Sequence, residues 1–588
     1  MSGAWKNKIY VLADYGNANL HMNDATPVAE QLVNSTSNRA IVKKVFWDAY
    51  ERTTTAIGYR FPEVTTMLQG YMQEGALMFD YSGHGSPDQL SHAQLLVTAD
   101  FNASSGGRLP LWVMASCEIC PFDALQDDIG RTAVLNPNGG AISMICAARS
   151  VYSNYNKELN ISLSKHLFET DDTGRLITMG EALRRTKVDM VTAAPGTAMK
   201  DASMNKLKYV LLGDPALALA APTGLVRLDS INGKAIKEGD PLVQLKAGSL
   251  ARFSGSVVGP NGDVDATFNG LVTATVADRE ETITCNNYDG ASKAITYQDR
   301  PNVIFEGSNR VSEGRFSITM RVPRSVSYSN DAGRITLFAT NEDRTLDCNG
   351  YSESFCLNGT ETAAEPDTLA PVIHMYLDEP ANTSGCIVGP QPTLYAEISD
   401  DFGIAAAGSS PGAIMELIID GDYNNPVSLN NYFSFDFGSY NAGLLTYPLE
   451  TLTAGAHQLQ LQAWDVNGNV GRGELYFQIA GNASDGFQLS ASHNPAREQT
   501  RLACRLWEAD REAGGEVTFE VFTLTGVKVW QSERLPVDPG SFGASIVWDL
   551  TDFSGSPMPS GVYLYRAKVT TGGKTKESKA KKIIIVKQ

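Results

Sequence analysis

A histidine held between two glycines and a cysteine 33 residues further on are the residues of this chain best suited to chemistry. His84 lies in "FDYSGHGSPD", just past the apolar run "ALMFDY", and Cys117 lies just past the apolar run "PLWVMAS". Both runs read as buried parallel strands. In an open parallel sheet the carboxyl ends of neighbouring strands form the ligand crevice, so adjacent strands would bring imidazole and thiol side by side. A cysteine attacks a carbonyl as its thiolate, and a nearby histidine favours that form and later protonates the leaving amine. Gly83 and Gly85 let backbone approach a substrate closely, and an amide there could face an oxyanion.

Each residue also has a plainer reading. His84 fits a tight turn with its hydrogen bonds satisfied, and Cys117 fits a small buried hydrophobe. Cys117 and Cys120, in "CEIC", form a Cys-x-x-Cys after a strand, which suits a thioredoxin-like redox centre. Pro121 sits where the following helix would run, and the matched His84 points elsewhere. Zinc would want a second such pair, which the chain lacks. The eight cysteines are too sparse for a disulfide scaffold, although Cys348 and Cys356 flank a Gly- and Asn-rich loop and could form an isolated bridge.

The elements that must position His84 and Cys117 lie in residues 1 to 222. "KIYVLAD", "AIVKKVFWD", "ALMFDYSG", "LWVMASC", "GAISMICAA" and "YVLLGDP" read as buried parallel strands. Helical patterns lie between them: "TPVAEQLVNS", "PEVTTMLQGYMQEG", "NKELNISLSKHLFET" and "TMGEALRRTKVDMV". This is an α/β domain. After Pro222 short alternating strands take over, as in "GRFSITMRVP", where Phe316, Ile318, Met320 and Val322 share a face. "HQLQLQAWDVNGN" likewise puts Leu459, Leu461 and Ala463 on one face before an Asn-Gly turn. Two β-sandwich modules are expected, 223–368 and an Ig-like 369–482, followed by a third β unit over 483–588.

At 588 residues the chain is multidomain, and its formal net charge of −18 opposes general nucleic-acid binding. No apolar run reaches the roughly 18 to 20 residues of a bilayer span, and "MSGAWKNKIYVLADYG" lacks the apolar stretch of a secretory signal. The first strand begins almost at once, so preceding sequence is expected elsewhere in the full product.

The order strand, "SGHG", strand, "SCE", then "NPNGGAISMICAARSVY" and "LKYVLLGDPAL" resembles the gingipain-like cysteine peptidases of the caspase and gingipain clan. With "VLADYGNANLHMNDA", "FDALQDDIGRTAVLNPNGGAI" and the β modules behind, the chain is most similar to the C-terminal signal peptidases of the Bacteroidetes type IX secretion system. The resemblance implies a caspase/gingipain-like α/β domain, mainly parallel in its sheet, with Cys117 as nucleophile and His84 as general base and acid. The Gly85 and Cys117 amides become candidate oxyanion donors. Asp24 is the candidate acid for orienting His84, ahead of Asp14 and Glu118. The chemistry requires no cofactor. Members of this clan often hold calcium, and Asp14, Asn17, Asn19 and Asp24 could supply oxygen ligands, as could Asp123, Asp127 and Asp128, although neither group has EF-hand spacing.

The tail, "SASHNPAREQTRLACRL" through "PSGVYLYRAKV" to a lysine-rich end, resembles the C-terminal domain that directs cargo through the type IX translocon. In a signal peptidase of this type the tail would be retained on an outer-membrane barrel partner of PorV type. The implied substrates are the C-terminal domains of secreted cargo, and the implied acceptor is an amine of a lipopolysaccharide conjugate at the cell surface. Two other readings stay open: a secreted gingipain-like protease of environmental proteins, and a noncatalytic surface adhesin on a peptidase scaffold.

Overall fold

The computed structural model describes residues 3–587 apart from 57, 104–105, 193–203, 362–366, 407–413, 480–486, 493, 507–513 and 540–542. The junction expected between 482 and 483 lies outside the described residues.

Six strands build the first sheet: β1 Lys8–Ala13, β2 Ile41–Phe46, β3 Met78–Ser82, β4 Leu111–Ala115, β5 Ser143–Ala147 and β6 Tyr209–Leu212. Their order is β6-β5-β4-β3-β1-β2. All neighbours run parallel except β6, which is antiparallel to β5, so the expectation of parallel strands throughout fails at "YVLLGDP". β6 starts beside the end of β5, with Tyr209 paired to Ala147, so it runs back along the strand it joins. Strands β3, β4 and β5 are buried at every residue, which is why they read as unbroken apolar runs rather than alternating ones.

Helices cover both faces. α1 (Leu20–Ser35), α4 (Ser153–His166) and α5 (Met179–Thr192) lie on one side, with Met22, Val28, Leu32, Leu159 and Leu163 in a core shared with β1 and β5. α2 (Pro62–Glu74) and α3 (Ile129–Leu135) cover the other, where Leu68, Ile129 and Ala133 meet Phe79 and Trp112. α3 begins at Asp128, whose side chain accepts from the Arg131 amide at 2.8 Å, a capping bond that explains the helix start. No helix among the described residues is long and apolar enough to cross a membrane.

The rest of the chain is strands. The nine-stranded sheet between Gly224 and Thr360 buries Phe316, Ile318, Met320 and Val322 together. Four- and five-stranded sheets between Val372 and Ile479 face one another across Leu459, Leu461 and Ala463. Two further sheets between Phe487 and Ile585 enclose Trp548 and Phe519. The lysine-rich strand Lys574–Glu577 is exposed at all four positions on the sheet edge, where charge resists pairing with other chains.

A hairpin, Glu281–Thr284 with Thr296–Asp299, leaves the nine-stranded unit and joins the core beside the six-stranded sheet. Its Cys285 and Tyr297 lie in the same core as α1 and β1, and Tyr297 packs on Phe46 with ring centres 4.8 Å apart. The first core therefore extends past residue 222 by contributions from far down the chain.

The cysteines differ from expectation. Cys120 is bonded to Cys146, Cys117 is free, and Cys348 and Cys356 are free and buried. The bridge that the last two could have formed is absent because they lie in one strand, Asp347–Thr360, where an eight-residue separation holds them far apart. The bond from Cys120 to β5 also removes the redox reading of "CEIC".

Candidate active site

Register decides what comes together. Ser82 at the end of β3 pairs with Ala115 at the end of β4, so His84 and Cys117 each lie two residues beyond a paired position, at the carboxyl edge of adjacent parallel strands. Ala13 at the end of β1 pairs with Ser82 from the other side, and the Asp14 amide donates to Ser82 O at 3.0 Å. Asp14, His84 and Cys117 thus leave three neighbouring strands in the same direction.

The two turns pack on each other. A side-chain carbon on Gly85 would run into Ile119 Cδ1 and Ser116 Oγ and would stand 3.4 Å from Cys117 O. A carbon on Gly83 would run into Tyr81 Oη and Asp14 Cβ. The glycines flanking His84 are therefore required by close approach of the neighbouring strand ends.

The His84 turn is fixed through its backbone. Its amide donates to Asp14 Oδ2 at 3.2 Å, and its carbonyl accepts from the Ser91 amide at 2.8 Å and from Tyr81 Oη at 2.5 Å. Asp14 Oδ1 accepts from Trp47 Nε1 at 3.0 Å and from Ser91 Oγ at 2.9 Å. Burial raises the Asp14 carboxyl above its ordinary value, and these donors pull the other way. Asp14 is a brace for the loop; it does not meet the imidazole through a hydrogen bond.

The imidazole is held by neighbours that sequence reasoning passed over. Asn17 Nδ2 lies 2.7 Å from His84 Nε2 and 3.5 Å from His21 Nε2. The His21 ring meets His84 edge-on at 4.8 Å, and the His92 ring lies at the same centre distance from it. Burial pushes His21 down to about 4, with His84 adding to the effect, so His21 is neutral beside the His84 ring. The available signal was "GNAN" after β1: Asn17, Ala18 and Asn19 all have positive φ, from 50° to 67°. Asparagine tolerates that region and alanine does not, at a cost of about 1 kcal/mol.

Asp24 does not orient His84. It lies inside α1, largely buried, and the charges nearest it are Lys157 and Glu158 of α4. Burial pushes its carboxyl up to about 6. One helix turn beyond His21, it faces the neighbouring helix rather than the strand ends.

Cys117 is half-buried and close to Val151 in the loop after β5. The Val151 amide donates to Cys117 Sγ at 3.3 Å, a bond that strengthens with thiolate character. Glu118 follows with φ of 51°, and Ser150 Oγ donates to its Oε1 at 2.8 Å. Among the described residues no hydrogen bond joins Cys117 to His84; such contacts are often loose without substrate. Beneath the thiol lies Tyr209, fully buried, its hydroxyl without a partner. Burial raises that hydroxyl far above its ordinary range, with Cys117 and Asp80 contributing. Asp80, in the middle of β3, is pushed up by burial to about 7 and accepts from Asn160 at 2.7 Å.

The oxygen-bearing residues of the two candidate calcium groups are engaged by other protein groups. Asn19 donates to Lys293 O, Asn17 serves the histidines, and Asp14 is occupied by protein donors. Asp123 pairs with Arg149 at 2.6 Å and Asp128 with Arg131 at 2.9 Å, while Asp127 is exposed, 3.8 Å from Arg131.

Residues 1–220 match the sequence profile of peptidase family C25. That match spans the six-stranded sheet and the two turns that carry His84 and Cys117. Among solved structures the chain is similar to dimeric latent PorU from Porphyromonas gingivalis, at 29% identity over 77% of this chain and 41% of that one, with a TM-score of 0.33. It is also similar to the Arg-specific cysteine proteinase gingipain R (RgpB), at 13% identity over 60% of this chain and 68% of that one, TM-score 0.31. The RgpB pro- and mature domain complex from Porphyromonas gingivalis gives 12% identity, 60% and 69% coverage and a TM-score of 0.30. The chain thus spans less than half the length of PorU. A search of curated proteins returns no match.

Proposed function

We propose that this chain is a gingipain-type, cell-surface cysteine endopeptidase and transpeptidase that removes C-terminal secretion signals from type IX cargo. The observation that carries the catalytic part is the matched exit of His84 and Cys117 from adjacent parallel strands, with their turns in contact. The cargo part rests on the resemblance of the motifs and of the C-terminal β unit.

In this reading Cys117 Sγ attacks the scissile carbonyl as a thiolate, and the Gly85 and Cys117 amides receive the oxyanion. The carbon–nitrogen bond breaks as His84 gives its proton to the leaving amine of the cargo tail, leaving a thioester on Cys117. An amine of a lipopolysaccharide-linked conjugate then attacks the thioester, His84 takes its proton, and the thiolate departs. Water in place of the amine gives hydrolysis. Asn17 and His21 position the imidazole, and no metal is needed for either step. The division into peptidase domain (1–222), β-sandwich (223–368), Ig-like module (369–482) and type IX C-terminal domain (483–588) belongs to the same proposal. The last would be retained and held by an outer-membrane barrel partner of PorV type.

Cys117→Ala in the full-length protein tests this on cells. Cargo should accumulate with uncleaved tails; unchanged processing removes the peptidase reading. Loss of residues 483–588 from the mature protein would instead favour a secreted protease that carries a removable tail.

A further inference from the structure

Far from the strand ends of the peptidase sheet, three carboxylates converge where the nine-stranded unit meets the next pair of sheets. Asp367 lies ahead of the strand Val372–Leu377, Asp400 just after Thr393–Ser399, and Asp465 just after Gly455–Trp464. One oxygen of each lies within 4.8 Å of the others, the one such group among the described residues. Asp400 and Asp465 are 7% and 1% exposed.

Like charges buried this closely repel, and each loses hydration, so a native fold keeps them only with a compensating cation or proton. No lysine or arginine makes an ion pair with any of the three among the described residues. The Arg321 charge acts on Asp367, but its guanidinium donates to Phe402 O at 2.6 Å and to Gly248 O at 2.8 Å.

Asp367 and Asp465 each accept N–H donors on both oxygens, and two other acceptors of the group stay unspent. Asp400 Oδ1 accepts from the Phe402 and Gly403 amides at 2.8 and 2.7 Å, whereas Oδ2 is buried without any donor. Asn467 donates through Nδ2 to Asp367 Oδ2 at 3.1 Å, and its own Oδ1 is buried without a partner. Two orphaned buried oxygens of different residue types lie at this acidic cluster, and a bound cation would satisfy both. All the available donors are oxygens, a set that suits a hard cation with six to eight flexible ligands and disfavours zinc or copper.

We propose that Asp367, Asp400, Asp465 and the Asn467 carbonyl oxygen form a calcium site that locks this junction. The surrounding bonds show what it would stiffen. Arg324 N donates to Val466 O at 2.9 Å, and Val466 N to Gly403 O at 2.9 Å, so the loops carrying the ligands also clasp the end of the preceding unit. The inference is independent of the chemistry at Cys117.

The test uses the full chain stripped with EDTA, titrated with calcium chloride by calorimetry and followed by thermal unfolding, with magnesium chloride in parallel. Expected is saturable calcium binding at Kd of about 1 mM or tighter, with a rise in Tm of at least about 3 °C that magnesium does not reproduce. Asp400→Asn should weaken that binding at least about 10-fold. Asp367→Asn, on the less buried ligand, keeps the test decisive if Asp400→Asn misfolds, and should weaken it similarly. Calcium binding unchanged in both variants overturns the proposal. So does the absence of any calcium effect with Tm rising as pH falls towards 6, which means that a shared proton alone balances the cluster.

Discussion

His84 and Cys117 end equivalent positions on adjacent strands, yet the chain secures them by opposite means. The Cys117 turn is held locally. Cys120, three residues on, is bonded to Cys146 in the next strand, and Val151 from the loop after that strand reaches the thiol. The His84 turn is held from a distance. Asn17, which meets the imidazole, sits in a left-handed run whose Ala18 amide donates to Asp289 Oδ2 at 2.8 Å and whose Asn19 side chain donates to Lys293 O at 2.8 Å. Asp289 and Lys293 belong to the hairpin loop of the following β unit, which Asp48 ties down by accepting from the Asn287 and Tyr288 amides. The Cys117 turn therefore depends on its own domain, and the surroundings of the His84 imidazole depend on a following unit in the same chain.

The comparison can be broken at several points. His84→Ala should reduce kcat by at least about 10³-fold with little change in Tm, since the turn is held by its backbone. Single-turnover cleavage of a cargo-tail peptide checks this, and a loss below tenfold would remove His84 from the reaction. Cys146→Ala, freeing the Cys117 side, should lower stability by about 2 to 4 kcal/mol in thermal or denaturant unfolding. The unfolding transition of the wild type should move the same way under reductant.

Asp289→Ala probes the other side. It should lower kcat roughly tenfold while leaving Tm nearly unchanged, because it releases a strained loop rather than a core. Asp289→Asn, which keeps an acceptor, should recover most of the activity. If Asp289→Ala has no effect on kcat, the brace on Asn17 is merely structural.

The smallest effect concerns Asp80 beneath both turns. Its carboxyl is raised from the ordinary 3.8 to about 7, so the folded state binds a proton that the unfolded chain releases. That contribution is present below about pH 4 and is lost as pH rises towards and through 7. Asp80→Asn should therefore flatten the fall in stability between about pH 4 and pH 7, an effect on the order of 1 kcal/mol. Parallel pH–Tm curves for the two proteins would mean that Asp80 is not the titrating group.

Part of this arrangement was legible from residue order. Unbroken apolar runs marked β3, β4 and β5 because strands covered on both faces have no polar side. His84 and Cys117 followed such runs directly, so the crevice rule for parallel sheets sufficed to pair them. Alternation marked Phe316 to Val322 and Leu459 to Ala463 for the same reason in reverse. What the tertiary structure decided was every contact between distant segments. The antiparallel entry of β6, the Cys120–Cys146 bond, the displacement of Asp24 by Asn17 and His21, and the hairpin reaching from residues 281–299 each depend on where a long connection returns. Local periodicity fixes which face of an element is buried, but it carries no information about which remote residue will cover it.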